Sequence, residues 1–354
     1  MFVSWPASRR VFSRRISTLI GAVLLLAVSA AAQYTRTNLT GDSQGEGNFI
    51  DPHLKNAWGL VAVRASITGT FWVADEATGL ATVYTATGQP LGTVVTIPAA
   101  SGNGTGSPAG LVANNTQSFK ITEGTHTAPA LFLFSTLDGT ISGYNPAVDP
   151  THAVIAVNKS GSGALYSGLA IAHTNSGDFI YAADSAGNKV DLYDENFNLV
   201  KSFTDTTLPP GFSPYGIQVI GQTLYVAYAI SFPRIPAAGG FVDTFDLTGG
   251  SPKTLINDSS LDQPWGITLA PPNFGPLGGT LLIANLGNGM INGFNPNTGA
   301  FVGTLKQNGV PIAIDGLWGI TLITSPSLSP PSKLYFTAGP GGYIHGLFGV
   351  ITVD

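Results

Sequence analysis

The sequence predicts an all-β protein, a six-bladed β-propeller of four-stranded antiparallel blades, closed by the N-terminal strand in the last blade. Three observations lead there. Turn formers are abundant, with 45 Gly and 24 Pro among 354 residues. Only 10% of residues are charged and 44% are hydrophobic, the balance of a chain built from buried strands. A unit of about fifty residues recurs six times, and fixed periods of that size mark repeat folds.

Each unit opens on a residue followed by Gly and an aliphatic residue. The six openings are Trp58-Gly59-Leu60, Ala109-Gly110-Leu111, Ser167-Gly168-Leu169, Tyr215-Gly216-Ile217, Trp265-Gly266-Ile267 and Trp318-Gly319-Ile320. A second apolar run follows, as in Phe71–Ala74, Leu131–Phe134, Ile180–Ala183, Leu224–Ala227, Leu281–Ala284 and Leu334–Thr337. A third run has two apolar residues three apart, from Ala81 and Tyr84 in the first unit to Ile344 and Leu347 in the last, which puts His345 in that strand. A fourth run closes most units, such as Leu91–Ile97 and Leu199–Phe203. Short β-branched and aromatic runs between Gly, Asn, Asp and Pro turns read as antiparallel strands. One such sheet leaves both faces wet, whereas six around an axis bury them.

The blades are predicted at about 56–98, 108–158, 166–205, 213–258, 263–307 and 315–354 plus 33–40. The last unit runs out of chain before its fourth strand, and Tyr34–Leu39 supplies one. Residues 33–354 then form a single domain.

Residues 1–32 read as a cleaved signal peptide. Arg9, Arg10, Arg14 and Arg15 precede the apolar stretch Ile16–Val28 and the small residues Ala30-Ala31-Ala32. The stretch is short for a membrane span, so no stable span is expected after cleavage. Ser8-Arg9-Arg10-Val11-Phe12 matches a twin-arginine signal in part, leaving the export route open. Cleavage takes four arginines from the 15 basic residues and none of the 20 acidic ones, leaving a net charge of about −9. Such a surface repels phosphate backbones and excludes nucleic acid as a partner. With no Cys there is no disulfide, thiolate metal site or cysteine nucleophile.

Ile180–Asp184 with Gly187–Asp194, and Phe71–Asp75, resemble the NHL repeat. Asp51–Leu60 together with Phe71–Asp75 resembles a family of secreted bacterial propellers, some of which end in a PEP-CTERM sorting tail. This chain ends Ile351-Thr352-Val353-Asp354, without such a tail. The resemblance implies the fold and export to the periplasm or the extracellular space. It implies no activity and no site residues.

Chemistry is expected on the face where loops enter each first strand and join strands two and three. The residues ending strand two are read as Asp75, Ser135, Asp184, Tyr228, Asn285 and Ala338. Asp75, Asp184 and Asn285 belong to blades one, three and five. Three oxygen groups from alternate blades are a weak candidate for a divalent cation such as calcium. The plainer reading is that each carboxylate or amide caps its own turn. Trp58, Trp265 and Trp318 belong to neighbouring blades, with Asp262 and Asp315 each three residues before a Trp. Aromatic faces beside carboxylates suit a glycan, and packing between blades is the plainer reading. Arg234, in the long loop 230–240, offers a charged contact on the same face, whereas 271–279 and 325–332 fall on the opposite one. The five histidines lack metal-binding spacing, and no G-x-S-x-G elbow occurs.

The leading expectation is an exported binding module for a protein or glycan ligand at the channel face, more binder than enzyme. The rivals are a metal-dependent, lactonase-like hydrolase with its site at the channel mouth, and a structural protein of the cell envelope.

Overall fold

Short strands that are apolar on both faces cannot stand alone in water, and the chain solves this by packing six sheets around an axis. A computed structural model describes residues 1–4, 33–63, 69–230, 239–323 and 333–353. The expected signal peptide lies almost wholly outside the described residues, as do Arg234 and the loop 325–332. The chain divides into two compact units, Met1–Ala31 and Ala32–Asp354.

Blades one to five are antiparallel sheets whose strands run in sequence order. The first two strands are Ala57–Val63 and Thr70–Asp75 in blade one, Pro108–Ala113 and Phe132–Thr136 in blade two, and Tyr166–Thr174 and Gly177–Asp184 in blade three. They are Phe212–Ile220 and Thr223–Ile230 in blade four, and Pro264–Leu269 and Leu281–Asn285 in blade five. Blade six holds Leu317–Ile323, Lys333–Ala338 and Leu347–Val353, and its outer strand is Tyr34–Gly41. This N-terminal strand pairs antiparallel from Tyr34↔Val353 to Gly41↔Leu347. A two-residue strand, Phe49–Ile50, then runs parallel beside it. Among the described residues, no helix is long and apolar enough to cross a membrane.

The core is divided between blades. Six clusters of buried apolar side chains are each shared by neighbouring blades, and a seventh lies on the axis. The cluster between blades six and one joins Leu39 of the N-terminal strand to Phe71, Tyr84, Tyr335 and Phe348.

The N-terminal strand is also clasped by a loop and a hairpin. The loop 271–279 buries Phe274 against Tyr34, ring centroids 5.2 Å apart. The Tyr34 hydroxyl donates to the Phe274 carbonyl at 2.9 Å and accepts from the Leu277 N–H at 2.8 Å. The second clasp is a hairpin, Lys306–Gln307 with Val310–Pro311, which the sequence reading did not anticipate. Its turn is Asn308-Gly309, both at positive φ, a dipeptide strongly favoured in tight hairpins. A further unanticipated hairpin, Lys120–Glu123 with His126–Pro129, sits between the first two strands of blade two.

Two strand assignments need correction. In blade six, Pro340–Tyr343 is a helical turn with Gly341 and Gly342 in the left-handed region, so the third strand starts at Leu347. Ile344 and His345 precede it. In blade two, the residue opposite Pro108 is Thr136, so strand two ends there and Ser135 lies one position inside. The strand starts one residue later than the apolar run Leu131–Phe134, at Phe132.

Candidate functional site

A β-bulge recurs in every blade at the same place. Pairing between strands one and two slips by one residue at Trp58, Ala109, Ser167, Tyr215, Trp265 and Trp318 or beside them. Bulges re-aim side chains, and here they turn the residue before each Gly toward the axis. The glycine that follows packs on the next blade. A Cβ on Gly59 would lie 2.5 Å from the Ala109 carbonyl oxygen, on Gly110 2.3 Å from the Leu169 nitrogen, and on Gly168 2.8 Å from the Tyr215 oxygen. On Gly216, Gly266 and Gly319 it would lie 1.9, 2.6 and 2.6 Å from the carbonyl oxygens of Trp265, Trp318 and Trp58. The contacts run once around the ring and close on the first blade.

The re-aimed aromatics meet in the centre. Trp58 stacks on Trp318 with centroids 3.6 Å apart and 24° between planes. Trp265 meets Trp58 and Trp318 edge-on at 6.0 and 6.1 Å. Tyr215 of blade four lies 6.3 Å from Trp58 of blade one. Those blades are opposite in a ring of six, so this contact crosses the axis. The Trp265 indole N–H likewise reaches across to the Ser167 carbonyl at 3.0 Å. Below these rings an axial cavity of about 40 Å³ is lined by Gly59, Gly110, Leu169, Ile217, Gly266 and Gly319. That is room for a few waters.

The three indoles are not equivalent. Trp58 and Trp318 are 5% and 2% exposed, while Trp265 and Tyr215 are half-buried and Tyr343, beside Trp318, is 45% exposed. The Trp318 N–H donates to Asn56 Oδ1 at 2.9 Å, and Asn56 Nδ2 donates to Glu76 Oε2 at 2.7 Å. The buried Trp58 N–H has no hydrogen-bond partner. The blades that carry Trp share an entry device. The residue two before each Trp, namely Asn56, Gln263 and Gly316, is in the left-handed region. Its carbonyl accepts the N–H of Glu76, Leu286 or Gly339 at 3.2, 3.0 and 2.8 Å. Sequence reasoning missed this device, although the Asn of blade one and the Gly of blade six at that position are its usual residue types.

Asp75, Asp184 and Asn285 hold partners inside their own blades. Asp75 Oδ2 accepts from the Thr82 hydroxyl at 2.8 Å. Asp184 Oδ1 accepts the N–H groups of Leu165 and Gly187 at 3.0 and 2.9 Å. Asn285 Oδ1 accepts the Asp262 N–H at 2.9 Å, and its amide donates toward Ser260 and Met290. Among the described residues no hydrogen bond links one of the three to another. Burial, reinforced by the charge of Asp51, holds the Asp75 carboxyl well above the ordinary carboxylate range, against the Thr82 hydrogen bond. A neutral acid is a poor ligand for a hard cation. Around the mouth, Asp262 is half-buried and its carboxyl is raised by that burial. Asp315 is exposed and accepts the Gly341 N–H at 2.8 Å.

No protein-family profile matches the chain. Among solved structures it is similar to catalytically inactive virginiamycin B lyase from Staphylococcus aureus, with quinupristin. The TM-score is 0.54 at 12% identity, covering 91% of this chain and all of that one. It is also similar to regucalcin, a calcium-binding protein from Agrobacterium tumefaciens, with a TM-score of 0.54 at 14% identity over 86% of this chain and 92% of that one. At such identity the likeness shows the fold alone. The relatives by sequence are viral, where the resemblance read from the sequence pointed to bacteria. Uncharacterized protein R648 of Acanthamoeba polyphaga mimivirus is 33% identical over 331 residues, 89% of this chain and 79% of that protein. Uncharacterized protein L690 of the same virus is 32% identical over 320 residues, 86% of this chain and 82% of that protein. The chain therefore belongs to the propeller family that includes R648 and L690.

Proposed function

We propose that this protein is an exported binding module whose ligand docks on the aromatic floor of the channel mouth. The supporting observation is the repeated bulge, which points six side chains at one spot and makes four of them aromatic. Tyr343 is exposed there, and Trp265 and Tyr215 are half-buried. Rings of this kind stack on the apolar face of a sugar, and Asp262 and Asp315 at the rim offer acceptors for its hydroxyls. A neutral glycan fits this surface and tolerates the net negative charge. Export rests on the arginine-rich, apolar and small-residue order of residues 1–32 and on the resemblance of Asp51–Leu60 with Phe71–Asp75 to secreted bacterial propellers. N-terminal sequencing of protein recovered outside the producing cell checks it, with Gln33 expected as the first residue.

A channel-metal hydrolase has less support. Asp75 and Asp184 each hold a partner within their own blade, although Asp75 Oδ1 has none, and Trp58 and Trp318 stack where the channel would run.

The test is a neutral-glycan array probed with the mature protein, then with Trp265→Ala and Tyr215→Ala. Saturable binding lost in both variants while their melting curves stay cooperative supports the proposal. Binding that survives both substitutions, or no binding to any neutral glycan, counts against it.

A further inference from the structure

The loop after the N-terminal strand carries a cluster that the channel mouth does not use. Asp42, Glu46 and His345 each bring one ligand atom within 4.8 Å of the others. Two come from the first segment of the fold and one from the turn before its last strand. Asp42 Oδ1 and Oδ2 both lie 3.2 Å from His345 Nδ1, and Oδ1 accepts the Gly346 N–H at 3.1 Å. The Asp42 side chain is 3% exposed. Burial alone would raise its carboxyl, but the Gly346, His345 and Lys55 donors outweigh it and hold the carboxyl below the usual range.

A second observation points into the same space. Glu46 Oε2 is sealed from solvent and has no hydrogen-bond partner. Its place depends on Gly41, where a Cβ would come 2.6 Å from Glu46 Cβ and 3.3 Å from that same oxygen. A carboxyl oxygen sealed from water without a partner is costly unless something positive meets it. Among the described residues, the ammonium beside the cluster is Lys55 Nζ, 3.1 Å from Asp42 Oδ2, on a side chain 40% exposed.

We propose that Asp42, Glu46 and His345 bind a divalent transition cation of the zinc type, which fastens the N-terminal segment to the last blade. One imidazole and two carboxylates are a borderline donor set that suits zinc better than calcium, whose sites are all oxygen. Ligands about 2.1 Å from zinc in a tetrahedron lie roughly 3.4 Å apart, a spacing that Asp42 and His345 at 3.2 Å nearly hold already, so the adjustment on binding falls to Glu46. The cation takes the place that Lys55 holds.

The experiment uses untagged protein, stripped with chelator and titrated with zinc alone by calorimetry and by thermal melting. One zinc per chain and a rise in melting temperature are expected. His345→Ala and Glu46→Gln should each weaken binding at least tenfold, and Lys55→Met should tighten it several-fold by removing the competitor. Glu46→Gln keeps volume and shape, so it reports on ligation if His345→Ala fails to fold. Absence of saturable one-to-one binding overturns the proposal. So does binding that both variants retain, or calcium binding as tight as zinc.

Discussion

The inner ring and the polar slots directly behind it solve opposite problems. In the ring, six glycines meet six backbones by one geometry, because a backbone contact leaves no choice of side chain. In the slots, each blade buries a different group. Blade one pairs Asp75 with Thr82, blade two joins the hydroxyls of Thr136 and Thr140 at 2.8 Å, and blade five ties Asn285 and Asn292 to the Ser260 carbonyl. Blade three sets Asp191 against the Tyr166 hydroxyl at 2.8 Å and Lys189 at 2.7 Å. Blade four places Asp243 in its slot, fully buried, with no hydrogen-bond partner on either oxygen. A repeat conserves what the backbone demands and leaves interior polarity free to vary.

That contrast can be broken at its closure first. Deleting residues 34–41 removes the outer strand of blade six and opens the cluster it shares with blade one. Loss of cooperative melting, or a fall in melting temperature of tens of degrees, is expected, and an unchanged melt refutes the closure.

The next largest effect lies in a slot. Burial pushes the Asp243 carboxyl up to about 7, with Asp205 adding to the rise. The folded state therefore keeps a proton that the unfolded state releases near pH 4. This stabilisation is complete below about pH 4 and is lost as pH climbs to 7, about 4 kcal/mol in all at roughly 1.4 kcal/mol per unit. Asp243→Asn should flatten stability against pH between 4 and 7, which denaturant melts at several pH values measure. An equally steep profile in the variant assigns the slope elsewhere.

The ring comes third. Gly216→Ala forces a methyl to within 1.9 Å of the Trp265 oxygen and should cost about 1–3 kcal/mol or more. Gly161→Ala, with open space around it, should change stability by less than about 0.5 kcal/mol. Equal costs would mean that the ring contacts are not tight. The finest cut is inside the aromatic floor. Trp318→Phe leaves Asn56 Oδ1 without its donor and should cost about 1–3 kcal/mol more than Trp58→Phe, whose indole N–H bonds nothing. Chemical denaturation of the pair measures the difference.

The ring was legible in the sequence because it is repeated. Six X-Gly-aliphatic openings announce six blades, and the missing fourth strand announces the closure by Tyr34–Leu39. What escaped was local or unrepeated. Ser135 was aligned for Thr136 because Leu131, apolar but outside the strand, was read as the first residue of strand two. His345 was placed in a strand because Gly341 and Gly342 read as an ordinary turn. The Asn308-Gly309 hairpin had a readable turn but no apolar alternation around it. Among candidate residues, the three Trp were rightly grouped as a set, yet nothing in their spacing says that Trp58 and Trp318 would bury each other. The Asp42, Glu46 and His345 cluster was invisible because its members stand at opposite ends of the chain.

The clasp around Tyr34 has a consequence in time. A ribosome makes Tyr34–Gly41 before the other described strands of the blades and its partner Leu347–Val353 after them. Until that partner emerges, the first strand lacks its long antiparallel neighbour and the face of blade one that receives it stays bare. Such edges recruit other chains, so the slowest and most aggregation-prone moment of folding waits for the last blade strand to emerge.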